Sequence, residues 1–205
     1  MKFLNIILAS IALISTASTS ECNWNNNKYG KIDKEATIYG EKIWNFFVKK
    51  IGNENGAAAL IGNLYAKSNL KPNNLEDFFE RVLGVDDEQY TKNVDNGSYK
   101  NFVTDEAGYG LAQWIYHSKK DKLLKFAQNQ GKSIGDVDMQ LEFLWKEINE
   151  NYKDVVRVLK DKNVSIKEAS DIFVNKYEKP VSKSQNMLRN RSNYGNMFKD
   201  ACGSQ

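Results

Sequence analysis

Asp105 and Glu106 stand side by side just ahead of Gly108-Tyr109-Gly110, and Gln113, Trp114 and Tyr116 follow within one short stretch. Paired carboxylates can hold a water molecule or stabilise a developing positive charge, although adjacent acidic residues in a loop also occur simply as a solvated pair. The glycines permit close approach of the backbone to a ligand. Gln113 can offer an amide both a donor and an acceptor. Tyr109, Trp114 and Tyr116 present aromatic faces with polar edges, which suit sugars as well as they suit a core. Metal chemistry is poorly served. His117 is the single histidine and Cys22 and Cys202 are the two cysteines, too few for a tetrahedral zinc site, so neither metal nor cofactor is expected. With no evident partner, His117 reads as a groove-edge or surface residue.

The elements that must position these groups begin at the N-terminus. Lys2 precedes an almost unbroken apolar run over residues 3–14, then small residues up to Ser20, the pattern of a secretory signal peptide. A membrane-spanning helix needs roughly 20 apolar residues, more than this run holds. The expectation is therefore cleavage after Ser20, a secreted chain starting near Glu21, and no stable membrane insertion. Glu21 disfavours a lipid anchor on Cys22, because a small residue is expected there. Export gives the cysteines a meaning, since they flank the remaining chain in surroundings that allow oxidation and domain termini often lie close together. A Cys22–Cys202 disulfide is expected, with two unpaired thiols as the alternative. Lys2 is the one charged residue among residues 1–20, so their removal lowers the net charge of +3 by one. Such an even balance argues against a nucleic-acid binder. Roughly 185 residues suit one domain with a sizeable core, expected as a monomer.

Residues 21–34 are polar and rich in asparagine, an arm fastened by Cys22; residues 35–200 read as the domain and 201–205 as a tail. Helical spacing runs through most of it. Ile38, Trp44, Phe47 and Val48 line one side of a first helix ended by Gly52. Gly56 opens a second, with Ala57, Leu60, Ile61, Leu64 and Ser68 at helical spacing, and Pro72 forbids its continuation. Asn74, with Asp77 three residues on, starts a short third through Phe78, Phe79 and Val82, its polar face carrying Glu76, Asp77 and Glu80. Asp95-Asn96-Gly97 and Gly108-Tyr109-Gly110 are turn signals, with short strands or irregular structure expected between them. Further on, Asp136 precedes an apolar stripe of Val137, Leu141, Leu144, Trp145 and Ile148. Ser165 and Glu168 form a capping box, and a last helix runs from about Ser184 through Met187, Arg191, Tyr194 and Phe198. The sum is an α+β domain, mainly α, with a small irregular or β lobe, although periodicity alone allows other helical folds.

Two segments carry a resemblance to a known family. Residues 62–74 read GNLYAKSNLKPNN and residues 108–114 read GYGLAQW. Together they resemble the phage tail lysozyme family, and the similarity extends from about Ile43 to Tyr194 through LEDFFERVLG, EQYTKNVDNGSYKNFV and MQLEFLWKEI. More distantly the arrangement is similar to goose-type lysozymes and lytic transglycosylases, which place a catalytic glutamate before a serine at a helix end and a Gly-Leu-x-Gln turn across the groove. The resemblance implies a lysozyme-like fold and, as partner, peptidoglycan glycan strands of alternating N-acetylglucosamine and N-acetylmuramic acid. Ser68, Tyr109, Gln113, Trp114 and Tyr116 are its implied substrate-binding residues.

The chain departs from that pattern at one position. Where the family carries glutamate-serine, this chain carries Lys67-Ser68. Glycoside cleavage needs a proton on the leaving oxygen while positive charge develops on the sugar, and a lysine beside that charge has the wrong sign. A helix C-terminus favours a cation, so lysine is comfortable where a glutamic acid would be strained. Three functions remain open: a muramidase or transglycosylase that has recruited Asp105 or Glu106, a catalytically silent binder of cell-wall glycan or of a protein, or an inactivated copy of an ordinary enzyme. Asn96, Asn163 and Asn190 fit the glycosylation acceptor pattern, which carries meaning only in a eukaryotic host.

Overall fold

The computed structural model describes residues 21–25 and 27–204; the signal-peptide reading falls on residues 1–20, outside the described residues. Helix α1 (Lys34–Ile51) stops at Gly52, whose left-handed φ of 70° lets its N–H reach back to Val48 O. Its buried stripe is Ile43, Trp44, Phe47 and Ile51. Ile38, expected on that stripe, is 69 % exposed, because six residues from Trp44 leave it about a third of a turn off the line. Helix α2 (Glu54–Ser68) begins earlier than Gly56, since the Asn53 side chain accepts the Asn55 N–H and so caps a first turn ahead of it. Residues 56–64 of α2 are buried on every side, which makes it the central helix.

The last helix, α9 (Gln185–Cys202), lies along α2. Their approach is tight at Gly62, where an added Cβ would stand 2.4 Å from Gly195 N and 2.7 Å from Arg191 O. Between them in sequence run α3 (Asp77–Leu83), α4 (Asp87–Asp95), α5 (His117–Asn129), α6 (Val137–Asn151), α7 (Lys153–Lys160) and α8 (Ile166–Phe173). A π-helical turn, Val174–Glu178, extends α8. The expected cap at Ser165 is present, accepting from Glu168 N, and Asp136 and Ser184 cap in the same way, accepting from Met139 N and Met187 N. The third helix, expected to start at Asn74, begins at Asp77 with no side-chain cap.

The fold is helical and α-rich, in line with the mainly α expectation; the small β lobe is not shown among the described residues. Among the described residues β structure amounts to two isolated antiparallel bridges, Leu75 with Tyr109 and Tyr109 with Trp114. The stretch between the two turn signals, residues 98–107, holds turns and irregular chain and no strand. Helix α4 precedes it, started by Asp86, which accepts the Gln89 N–H, with Tyr90, Thr91 and Val94 on its buried face.

Cys22 and Cys202 are joined, closing a loop with a sequence separation of 180. The Asn23 N–H donates to Ala201 O at 2.7 Å, so the arm is pinned to α9 by backbone as well as by sulfur. A Cys22→Ser, Cys202→Ser double variant is expected to lose about 2–5 kcal/mol of unfolding free energy, read by denaturant melts. Reductant should bring the native chain down to the variant's midpoint; a midpoint unmoved by both treatments would contradict this.

Candidate functional site

Helix α2 ends at Ser68, and Asn69 and Leu70 then take left-handed φ values of 52° and 61°. The Asn69 N–H closes the helix on Tyr65 O. The chain thus turns sharply just after Lys67 and leaves that side chain at a helix end. Ser68 ties this end to the glycine turn: its Oγ lies 3.1 Å from Leu64 O and 2.9 Å from Leu111 O. The turn itself is narrow. Tyr109 and Trp114 exchange both backbone hydrogen bonds, at 3.2 and 3.0 Å, and Gln113 N donates to Gly110 O. Gly110 has φ 75° and packs so tightly on Gln140 that a Cβ would stand 2.7 Å from its amide. That buried Gln140 accepts Leu111 N and donates to the carbonyls of Pro72 and Ile134, so α6 holds the turn from below. Glu76 holds it from the side, its carboxylate accepting Gly108 N at 3.1 Å.

A cleft of about 700 Å³ opens between this turn, the end of α2 and residues 177–181, and Lys67, Glu106, Gln113, Trp114 and Tyr116 line it. Tyr116 stands at its rim, 61 % exposed. His117, the first residue of α5, is an exposed residue of the cleft wall. A second depression of about 400 Å³ lies on the other side of Lys67 and includes Ser68, Asn74 and Asp77. The Gln113 amide nitrogen donates to Asn74 O and Oδ1 and to Gly110 O. What it leaves to a ligand is therefore its carbonyl, an acceptor.

Two of the expected site residues lie elsewhere. Asp105 does not line the cleft. Its side chain is 5 % exposed and ion-paired with the fully buried Lys120, and it also accepts from the Tyr90 and Tyr99 hydroxyls and from Ala107 N. A carboxylate so saturated supports the glycine turn from beneath. Burial pulls the Lys120 ammonium below its ordinary pKa, against the opposing pull of Asp105. Tyr109 is fully buried, with its hydroxyl 2.6 Å from that of Thr91. Glu106 is the one member of the acidic pair that reaches the cleft, from a backbone φ of 61°.

Sequence reasoning passed over four residues that shape this cleft. Lys119 and Tyr177 line it, and both lean on Glu147 from α6. Lys119 Nζ lies 3.1 Å from Glu147 Oε1 and 4.2 Å from the centre of the Tyr177 ring. Tyr177 donates its hydroxyl to Glu147, and Trp114 Nε1 lies 3.2 Å from Glu147 Oε2. Trp114 is thus both core and cleft wall. The fourth is Glu178, at the end of the π-helical turn, a kind of local irregularity found often at functional sites. Its side chain is 4 % exposed, 3.0 Å from Arg191 Nη1 and 3.8 Å from Lys67 Nζ. Burial holds its carboxyl above the usual range, against the pull of Arg191 and Lys67. The signal available was Lys179-Pro180, which ends a helix and leaves the residue before it at a helix C-terminus.

The geometry is a cleft of about 700 Å³ built around a helix end, with a narrow glycine turn across from it. A comparison with curated proteins found no match to the chain. Residues 39–201 match the phage tail lysozyme family, and the chain belongs to it.

Proposed function

We propose that this protein is exported and binds peptidoglycan glycan strands in the 700 Å³ cleft, and that Lys67 leaves it a poor glycosidase. Membership of the family suggests a lysozyme-like, peptidoglycan-directed function. The observation that carries the finer reading is the presence of Lys67, Glu106, Gln113, Trp114 and Tyr116 on one cleft. These supply a sugar's needs: an acceptor, aromatic faces and polar edges. Export is supported by the joined cysteines, which persist in oxidising surroundings. No helix among the described residues is long and apolar enough to cross a membrane.

Glu106 is the expected carboxylate still placed to face a sugar, so an enzyme that has recruited it is the second reading. The saturated hydrogen bonding of Asp105 speaks against its recruitment. Binding is tested by sedimentation with insoluble peptidoglycan. The native chain is expected in the pellet, and Gln113→Ala is expected to weaken binding by about 1–3 kcal/mol through loss of the acceptor and of the turn it braces. Tyr116→Ala, at the exposed rim, should weaken it by about 0.5–1.5 kcal/mol without lowering the melting temperature. Equal sedimentation of all three proteins would leave the cleft without a glycan.

A further inference from the structure

Lys67 is not alone at its end of the cleft. Glu178 also lines it, and the two oxygens of its carboxyl are in different situations. Oε1 accepts from Arg191 Nη1 at 3.0 Å. Oε2 is buried without a hydrogen-bond partner, one of two such side-chain atoms among the described residues. A buried acceptor left unpaired costs about 1–3 kcal/mol, so it calls for an explanation. Lys67 Nζ faces it at 3.8 Å, near enough for charge attraction and too far for a hydrogen bond. Lys67 is 29 % exposed and Glu178 is 4 % exposed, which puts the lysine on the solvent side of the pair, over the carboxyl. The charged groups that face Glu178 are Arg191 from α9 and Lys67 from α2.

We propose that Glu178 is a latent general acid of this cleft, with the Lys67 side chain as its cover. The inference rests on the reading of the cleft as a glycan groove. The resemblance implies a carboxyl at position 67; in this chain a carboxyl oxygen lies within 3.8 Å of the Lys67 nitrogen, held from behind by Arg191. A lysine stem is flexible, and its removal opens Oε2 to the cleft. Burial and the end of a helical stretch both disfavour the charged carboxylate, against the pull of Arg191. In the reaction, Oε2 gives its proton to the glycosidic oxygen as the C1–O bond breaks with its electron pair passing to that oxygen. A water oxygen then bonds to C1 and its proton passes to the Glu178 carboxylate, which restores the acid.

The experiment is turbidity clearance of purified peptidoglycan by the native chain, Lys67→Ala, Lys67→Glu and the double variant Lys67→Ala, Glu178→Gln. Uncovering alone is expected to raise the rate on the order of 10²-fold, the lower range for general acid assistance, and the double variant should fall back to the native rate. Lys67→Ala no faster than the native chain overturns the proposal. If Lys67→Glu is active in that same assay, the groove reading stands without it; if both are silent, the latent acid falls, and sedimentation with peptidoglycan decides the groove reading separately. Lysis by Lys67→Ala with Lys67→Glu silent would keep the latent acid and remove the assignment of the family acid to position 67. Glu178→Gln also loosens Arg191, so a second measurement guards against a misfolded variant. In Lys67→Ala alone, the alkaline limb of the rate profile must coincide with the Glu178 carboxyl titration followed by carbon NMR. A limb at any other pH overturns the assignment.

Discussion

Lys67→Glu is expected to clear a peptidoglycan suspension at least about 10²-fold faster than the native chain, and up to about 10⁴-fold, the usual worth of a positioned acid. The scaffold such an acid requires is in place. The helix end is anchored by Ser68, the turn by Glu76 and Gln140, and the cleft wall by the Glu147 cluster. Two effects would keep the introduced carboxyl protonated toward neutral pH. The partial negative charge at the C-terminus of α2 disfavours an anion, and Glu178, 3.8 Å from the present Lys67 nitrogen, would be a second carboxyl in the same site, where the two cannot both ionise freely. The rate should follow a bell-shaped pH profile with the introduced carboxyl on its upper limb. A folded-state pKa raised in this way costs stability once the pH exceeds the unfolded value, so the variant should melt slightly below the native chain at neutral pH and match it in acid. The exchanged ion pair is partly exposed and contributes little on its own. Strong lysis by the native chain, abolished by Glu106→Gln, would sink the account and assign the acid to the loop.

How much of this was legible depends on whether a residue's role is set locally or by contacts made across the fold. Caps are local, so Asp136, Ser165 and Ser184 could be read from residue type and spacing alone. The family motifs likewise placed Lys67 and the glycine turn opposite one another. Helix α5 escaped because His117, Ser118, Lys119 and Lys120 look like a solvated run, whereas Lys120 is fully buried on Asp105. That pair reverses one reading: the Asp105 carboxylate is not in the cleft. No spacing rule predicts an ion pair between a loop and a helix 15 residues on. Glu178 was illegible for a similar reason. An acidic residue ahead of Lys-Pro reads as a solvated helix end, and only the packing of α9 against α2 brings Arg191 and Lys67 to it.

The same long-range packing makes the fold sensitive to base. Tyr90, Tyr109 and Tyr177 are each buried, and burial pushes their phenols well above the ordinary value of 10.0. Asp105 adds to the effect at Tyr90, and Glu147 adds to it at Tyr177. Tyr65 and Tyr99 are pushed up to about 12, also chiefly by burial, but lie nearer solvent and count for less. A group whose folded pKa is raised contributes stability that is complete below its unfolded pKa and lost as the pH climbs toward the folded value. Each buried phenol that stays protonated while its unfolded counterpart ionises costs about 1.4 kcal/mol per pH unit. Three of them together give a slope of about 4 kcal/mol per pH unit above pH 10. Lys120 works in the opposite sense, because its folded pKa is lowered: its contribution rises with pH until the unfolded lysine has lost its proton near 10.5, and is flat beyond. One group that finishes early does not offset three that continue. Against a typical total of about 5–15 kcal/mol, the chain is expected to unfold cooperatively about one to four units above pH 10. Tyrosinate absorbance and the helical circular dichroism signal should change together in a single step. Tyr109→Phe should lower the slope by about one proton's worth, roughly a third of the three-phenol total. Phenols that ionise gradually with the helical signal intact would show that these tyrosines reach water in the native state.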